Sequence, residues 1–201
     1  MQRYTQNSIN PYGGRTDYLS KEVIEASCNC AGVFLVRECP SVPGRCYGNT
    51  GIIAPRLEVL LVESKRKNYQ FSFPKGKKDK KELLFETAKR ELYEETGLKE
   101  SDYEIYPDKY YIEYRADTNK PHICYYMAKM INKDAPLCPI DTREIVSAKW
   151  FTPDEIYTMR RSFYLQRRQI VTKGIRDYIM GFVLHKVRNT PIHSQSVASP
   201  G

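Results

Sequence analysis

The chain has 201 residues, 41% of them hydrophobic and 28% charged, with 32 Lys and Arg against 24 Asp and Glu for a formal net charge of +8. That composition belongs to a globular domain with a sizeable core and excludes wholesale disorder, a collagen-like fibre and a coiled coil. The clearest apolar runs, Val33-Phe34-Leu35-Val36 and Val59-Leu60-Leu61-Val62, fall far short of the ~20 residues of a membrane span.

In chain order, residues 1–25 read as a flexible N-terminal arm, polar at first and carrying Pro11, Gly13 and Gly14. No apolar signal segment opens it, so a cytoplasmic or nuclear protein is expected and not a secreted one. Ala26 to Glu38, rich in β-branched and aromatic residues, reads as a strand. Pro40 to Pro55 reads as a loop. Leu57–Glu63 is a second strand, and Tyr69–Phe73 a third that stops at Pro74. Gly76–Lys81 reads as a basic loop. Glu82 to Thr96 predicts a helix: Leu84, Ala88 and Leu92 form one apolar stripe, and Gly97 supplies the stop. Tyr110–Tyr114, His122–Met130 and Ile145–Phe151 read as further strands. Thr152-Pro153-Asp154-Glu155 opens a helix with an N-cap, a first-turn proline and a capping box. A long helix is expected over Gln166–Arg188, and residues 189–201 are a Ser- and Pro-rich disordered tail. The mixture is α/β (α+β), a sheet sandwiched between helices. The six cysteines contain no C-x2-C pair, so thiols in a reducing compartment are expected, with Cys28 and Cys30 on one face of the first strand.

The charge is unevenly placed. Tyr157 to Arg188 holds Arg160, Arg161, Arg167, Arg168, Lys173, Arg176, Lys186 and Arg188 against Asp177 alone, a net of 8 − 1 = +7. Such a segment is either a solvated helix face or a surface for phosphates or nucleic acid.

The stretch Gly76 to Leu98 carries the chemistry. On a helix, Glu91, Glu94 and Glu95 stand at i, i+3 and i+4, so three carboxylates share one face. Their repulsion is relieved if a divalent cation lies among them, and oxygen ligands select Mg2+ or Mn2+. Arg90 can fix the rotamer of a carboxylate one turn away, Glu86 or Glu94. Gly76 allows the backbone to approach the metal closely.

The whole stretch resembles the Nudix box, G-x5-E-x7-R-E-U-x-E-E-x-G-U, with Leu92 and Leu98 at the aliphatic positions. The resemblance implies a Nudix fold over residues 26–160, followed by an added basic C-terminal helical extension over 161–188. It implies Mg2+- or Mn2+-dependent hydrolysis of a diphosphate linked to another moiety, commonly a nucleoside. It further implies that Glu91, Glu94 and Glu95 bind metal, that a backbone carbonyl near Lys75 and Gly76 completes the shell, and that Glu82 and Arg90 form a supporting salt bridge. The proton acceptor would be Glu94, Glu95 or Glu144, the last from a later loop.

Phe73-Pro74-Lys75-Gly76-Lys77 and Thr142-Arg143-Glu144 with Trp150-Phe151 are similar to mRNA-decapping Nudix enzymes. Capped RNA is therefore the first expected substrate, with Lys75, Lys77, Arg160, Arg161, Arg167, Arg168 and Lys173 as RNA or phosphate contacts. The chain departs from cellular decapping enzymes in having only about 25 residues ahead of the first strand, fewer than a preceding helical regulatory domain needs. Dinucleoside polyphosphates and diphosphoinositol polyphosphates are alternative substrates, and a non-catalytic RNA- or protein-binding module is an alternative of another class.

Overall fold

The computed structural model describes residues 19–39, 44–46, 52–65, 70–159 and 163–189. Helix α1 (Lys21–Ser27) leads into β1 (Cys30–Glu38). The short strands β2 (Arg45–Cys46) and β3 (Ile53–Ala54) pair with each other. Then come β4 (Leu57–Ser64), β5 (Phe71–Ser72), β6 (Lys75–Lys77) and helix α2 (Leu84–Thr96). A 3-10 turn (Glu100–Asp102) precedes β7 (Tyr103–Tyr114), β8 (Pro121–Met130) and β9 (Ile145–Phe151), and helices α3 (Pro153–Thr158) and α4 (Leu165–Asn189) follow.

Seven strands form one mixed sheet with the central order β5-β4-β1-β8-β7. β1 runs parallel to β8 along one edge, from Cys30 opposite Ile123 to Val36 opposite Lys129. Its other edge is shared: β4 pairs with its C-terminal end, and β6 pairs antiparallel with its start, Ala31 opposite Gly76. β9 lies along the far edge of β4.

Side chains alternate across this sheet as strand geometry requires. Val33, Leu35, Leu60, Cys124 and Ala128 pack with Leu84, Ala88 and Leu92 of α2 and Ile24 of α1 on one face. Phe34, Val36, Val59, Leu61, Tyr125 and Met127 pack with Ile156 of α3 and Ile170 and Val171 of α4 on the other. The expected sandwich is therefore present, and so is the long terminal helix.

Several boundaries differ from expectation. Residues 21–25 belong to a helix and not to an arm, because Ser20 caps it and Ile24 is buried beneath the sheet. Ala26 lies in that helix and Cys28 is its C-cap, so Cys28 and Cys30 are not strand neighbours. Arg45–Cys46 and Ile53–Ala54 form a strand pair within the expected loop, and β7 begins at Tyr103, well before Tyr110. The expected basic loop opens with a three-residue strand. Residues 1–18 and 190–201 lie outside the described residues, as do Arg160 and Arg161.

Candidate active site

Helix α2 is positioned from both ends. At its start, the Glu25 carboxylate of α1 accepts from Leu84 N–H at 3.2 Å and pairs with Lys78. A carboxylate there suits the unpaired amides and the positive end of the helix dipole. The Glu86 side chain accepts from Leu83 N–H at 3.1 Å, so it serves the helix start and does not pair with Arg90. At the other end Gly97 takes a left-handed φ of 77°, a conformation that glycine adopts without steric cost. The loop beyond β8 then ties onto the end of the helix. Cys138 N–H donates to Thr96 O at 2.8 Å, and Ile140 and Asp141 N–H donate to Glu94 O at 2.9 and 3.0 Å.

With its apolar stripe held on the sheet, α2 turns its glutamates to β6. The Glu95 carboxylate is buried and accepts from Lys75 N–H at 2.8 Å. Glu91 lies against Gly76 so closely that a Cβ at that position would meet its carboxylate oxygens at 2.0 and 2.1 Å. Arg90 gathers the neighbouring carboxylates. It donates to both oxygens of Glu82 at 2.9 and 3.0 Å, to Glu91 at 2.8 Å, to Glu94 at 3.0 Å and to Lys77 O at 2.9 Å. These bonds hold the Glu82 carboxyl down at about 2. Glu95 goes the other way: burial pushes it up to about 8, and the nearby charges of Glu91 and Glu144 add to the rise. Burial likewise raises Glu91.

Among the described residues no three acidic, His or Cys side chains stand ready to enclose a metal ion, because Arg90 engages Glu91 and Glu94 while Glu95 faces the β6 backbone. The donor set nevertheless fits a hard cation. It is all oxygen, it is clustered tightly enough that burial and mutual repulsion raise two of its members, and the backbone at Gly76 carries no side chain where Glu91 lies.

Glu144 occupies the turn before β9. That turn is pinned to the end of β4 by Lys65, whose N–H donates to Glu144 O at 2.8 Å and whose ammonium donates to Thr142 O at 2.5 Å. The same loop carries the bonds to Glu94 O, so Glu144 comes within electrostatic reach of Glu95.

A family model described as NUDIX domain matches residues 47–173. The chain belongs to the NUDIX family. Among curated proteins it is 33% identical over 134 residues to a candidate mRNA-decapping protein of Acanthamoeba polyphaga mimivirus, covering 64% of this chain and 37% of that one. It is 33% identical over 111 residues to the m7GpppN-mRNA hydrolase dcap-2 of Caenorhabditis elegans, covering 53% and 13%. The matches thus span well under half the length of either relative. Two solved structures share the fold: a C. elegans Ap4A hydrolase binary complex, with TM-score 0.59, 19% identity and coverage of 76% of this chain and 98% of that one, and the Nudix hydrolase RenU of M. smegmatis, with TM-score 0.54, 16% identity and coverage of 74% and 88%.

Beyond the NUDIX helix, the basic residues of the sequence reading divide. Lys75 and Lys77 stand on β6 beside the glutamates, Lys77 exposed. Arg167 is not a surface phosphate contact: it is 6% exposed and donates to both oxygens of Glu113 at 2.8 and 3.2 Å. Arg168 turns inward to Met159 O at 2.8 Å, and Lys173 lies over the Tyr111 ring. Arg167 and Lys173 hold α4 to β7 of the sheet and Arg168 ties it to the end of α3, so the exposed positive charge of the helix falls to Arg176, Lys186 and Arg188. Sequence reasoning missed the amide of Lys75 and the carboxylate of Glu25. A backbone donor has no side-chain signature, and Glu25 acts from an element that the hydropathy pattern did not reveal.

Proposed function

We propose that this NUDIX chain is a Mg2+- or Mn2+-dependent pyrophosphohydrolase whose substrate is the 5′ cap of RNA. The observation that carries the hydrolase reading is the disposition of Glu91, Glu94 and Glu95 on the face of α2 turned to Gly76, with Arg90 tying Glu82 to that face. Those three glutamates would hold the cation beside the β6 backbone. When bound, the cation neutralises phosphate charge and lowers the pKa of an attacking water. The chain's own residues do the rest. Lys75 and Lys77 bring positive charge to the strand along which the diphosphate would lie. Arg90, anchored by Glu82, sets the rotamers of Glu91 and Glu94. A carboxylate among Glu94, Glu95 and Glu144 takes the proton from water. The capped-RNA reading is supported by the names of the two curated relatives and by the basic balance of the chain.

The test is a parallel turnover assay with Mg2+ or Mn2+, offering cap-labelled RNA, a dinucleoside polyphosphate and a diphosphoinositol polyphosphate, each with and without EDTA. Release of a guanosine diphosphate from RNA, abolished by EDTA, is the expected result. Cleavage of a small polyphosphate with RNA untouched would replace the substrate, and binding without turnover of any of the three would overturn the enzyme.

A further inference from the structure

The turn that carries Glu144 is one hydrogen-bonded unit. Asp141 O accepts from Glu144 N–H at 3.3 Å and from Ile145 N–H at 3.0 Å, and Thr142 N–H donates to Ile140 O at 3.0 Å. The Asp141 carboxylate accepts from Arg143 N–H at 3.0 Å. The turn is therefore stiff within itself, and its attachments decide where Glu144 stands. One attachment is to α2, where Ile140 and Asp141 N–H donate to Glu94 O. The other is to the end of β4, and there Lys65 holds two successive points of the turn. Its backbone N–H donates to Glu144 O at 2.8 Å and its ammonium to Thr142 O at 2.5 Å.

Between Lys65 and the regular part of the β4–β9 ladder the pairing slips. Glu63 lies opposite Ser147, whose hydroxyl donates to the Glu63 carboxylate at 2.8 Å, but Ser64 lies opposite Ile145. Val146 is the extra residue, and it is 43% exposed. Such a bulge bends its strand and interrupts the ladder locally, which re-aims the side chains beyond it. The aim of Glu144 is thus fixed on the far side of the slip, where Lys65 grips the turn. From there the Glu144 carboxylate comes within electrostatic reach of buried Glu95.

We propose that Lys65 is a positioning residue of the hydrolysis: its ammonium and its backbone N–H hold the 141–145 turn so that the Glu144 carboxylate is delivered to the glutamate cluster of α2. The inference rests on the hydrolase reading above and not on the choice of substrate. Lys65 is exposed, and one hydrogen bond at a surface adds little to stability. Position is more demanding, since a displacement of about 1 Å at a reacting group can cost about 10²-fold in rate. Loss of the ammonium should therefore appear in the rate and leave the melting temperature nearly unchanged.

The test compares wild type, Lys65→Met, Lys65→Arg, Glu144→Gln and the double variant of Lys65→Met with Glu144→Gln. Methionine keeps the stem and the backbone N–H, and arginine keeps a cation. Steady-state kinetics with Mg2+ or Mn2+ uses whichever of the three substrates above wild type cleaves. Backbone hydrogen exchange of wild type and Lys65→Met is read alongside by mass spectrometry. Lys65→Met should lower kcat about tenfold or more and change KM less than about twofold, the pattern of a group that acts only in the transition state. Lys65→Arg should recover most of the loss, and amides of residues 140–146 should exchange faster in Lys65→Met while those of α2 do not. In the Glu144→Gln background Lys65→Met should have no further effect, because two residues that act as a unit are not additive. Wild-type turnover by Lys65→Met or by Glu144→Gln would overturn the proposal, as would losses that multiply in the double variant. A loss confined to KM would overturn it too, making Lys65 a substrate contact. The two readings fail separately. An active wild type indifferent to Lys65 removes the positioning role alone, whereas a wild type that cleaves none of the three substrates removes the hydrolase and the role with it.

Discussion

A methyl group at Gly76 would stand about 2 Å from the carboxylate of Glu91, nearer than unbonded atoms approach. Gly76→Ala should therefore displace Glu91 and lower turnover at least tenfold, while melting changes little, since β6 is a short strand outside the core. Glu94→Gln and Glu95→Gln each remove a charge from the proposed metal site and should cost roughly 10²–10⁴ in turnover, the range for loss of a positioned acid–base group. Steady-state kinetics alongside thermal melting separates these losses from unfolding. Glu82 supplies a pH prediction. Its carboxyl sits at about 2 in the folded chain because Arg90 is bonded to it, against ~4.3 for an unperturbed glutamate. The pairing stabilises the fold fully above that ordinary value and is lost as pH falls toward 2. Wild type should thus lose more stability than Glu82→Gln over that interval, measured by denaturant unfolding at stepped pH. Glu91, Glu94 and Glu95 were legible in the sequence because helical periodicity alone puts them on one face. The inward turn of Arg167 was not, because an arginine side chain reaches either water or a buried carboxylate, and Glu113 lies 54 residues away.

At the scale of elements, the sequence showed best what is long and periodic. The stripe Leu84, Ala88 and Leu92 placed α2 within two residues, and the capping box placed α3 at Pro153. Helix α1 escaped notice because it has only seven residues, of which Ile24 alone is buried. Strand β6 escaped because Lys-Gly-Lys has no strand propensity; its conformation is imposed by pairing with Cys30, Ala31 and Gly32. Helix α4 was found, but its basic residues had no visible direction. The Arg167–Glu113 pair, which ties α4 to β7, predicts that Arg167→Ala will cost about 3 kcal/mol, because it leaves the Glu113 carboxylate with a lost partner in a largely buried site. Replacing both partners by apolar residues should cost less. Urea unfolding of the single and double variants checks this, and equal losses would mean that the pair contributes only packing.

For the whole molecule, the mixed sheet between helices followed from the sequence, whereas the order of its strands did not, since pairing partners far apart in the chain leave no periodic trace. The two cores also set thiol chemistry. Cys28 and Cys124 lie in the core beneath α1 and α2, and burial pushes Cys28 up to about 11 and Cys124 higher still. Alkylation of the native protein followed by mass spectrometry should spare both and modify exposed Cys138. Rapid modification of Cys28 would show that α1 does not stay docked.

The parallel pairing of β1 with β8 joins residues about 90 positions apart. During synthesis at ~5–20 residues per second, β1 leaves the ribosome many seconds before its partner exists. For that interval Val33-Phe34-Leu35-Val36 is an apolar strand with one edge unpaired, the kind of segment that associates with other chains. The middle of the finished sheet is therefore the most vulnerable part of the nascent one. A growing chain of this protein should depend on chaperones that shield early apolar strands, and a fragment beginning at residue 47, where the NUDIX match starts, would lack the strand that joins β4 to β8.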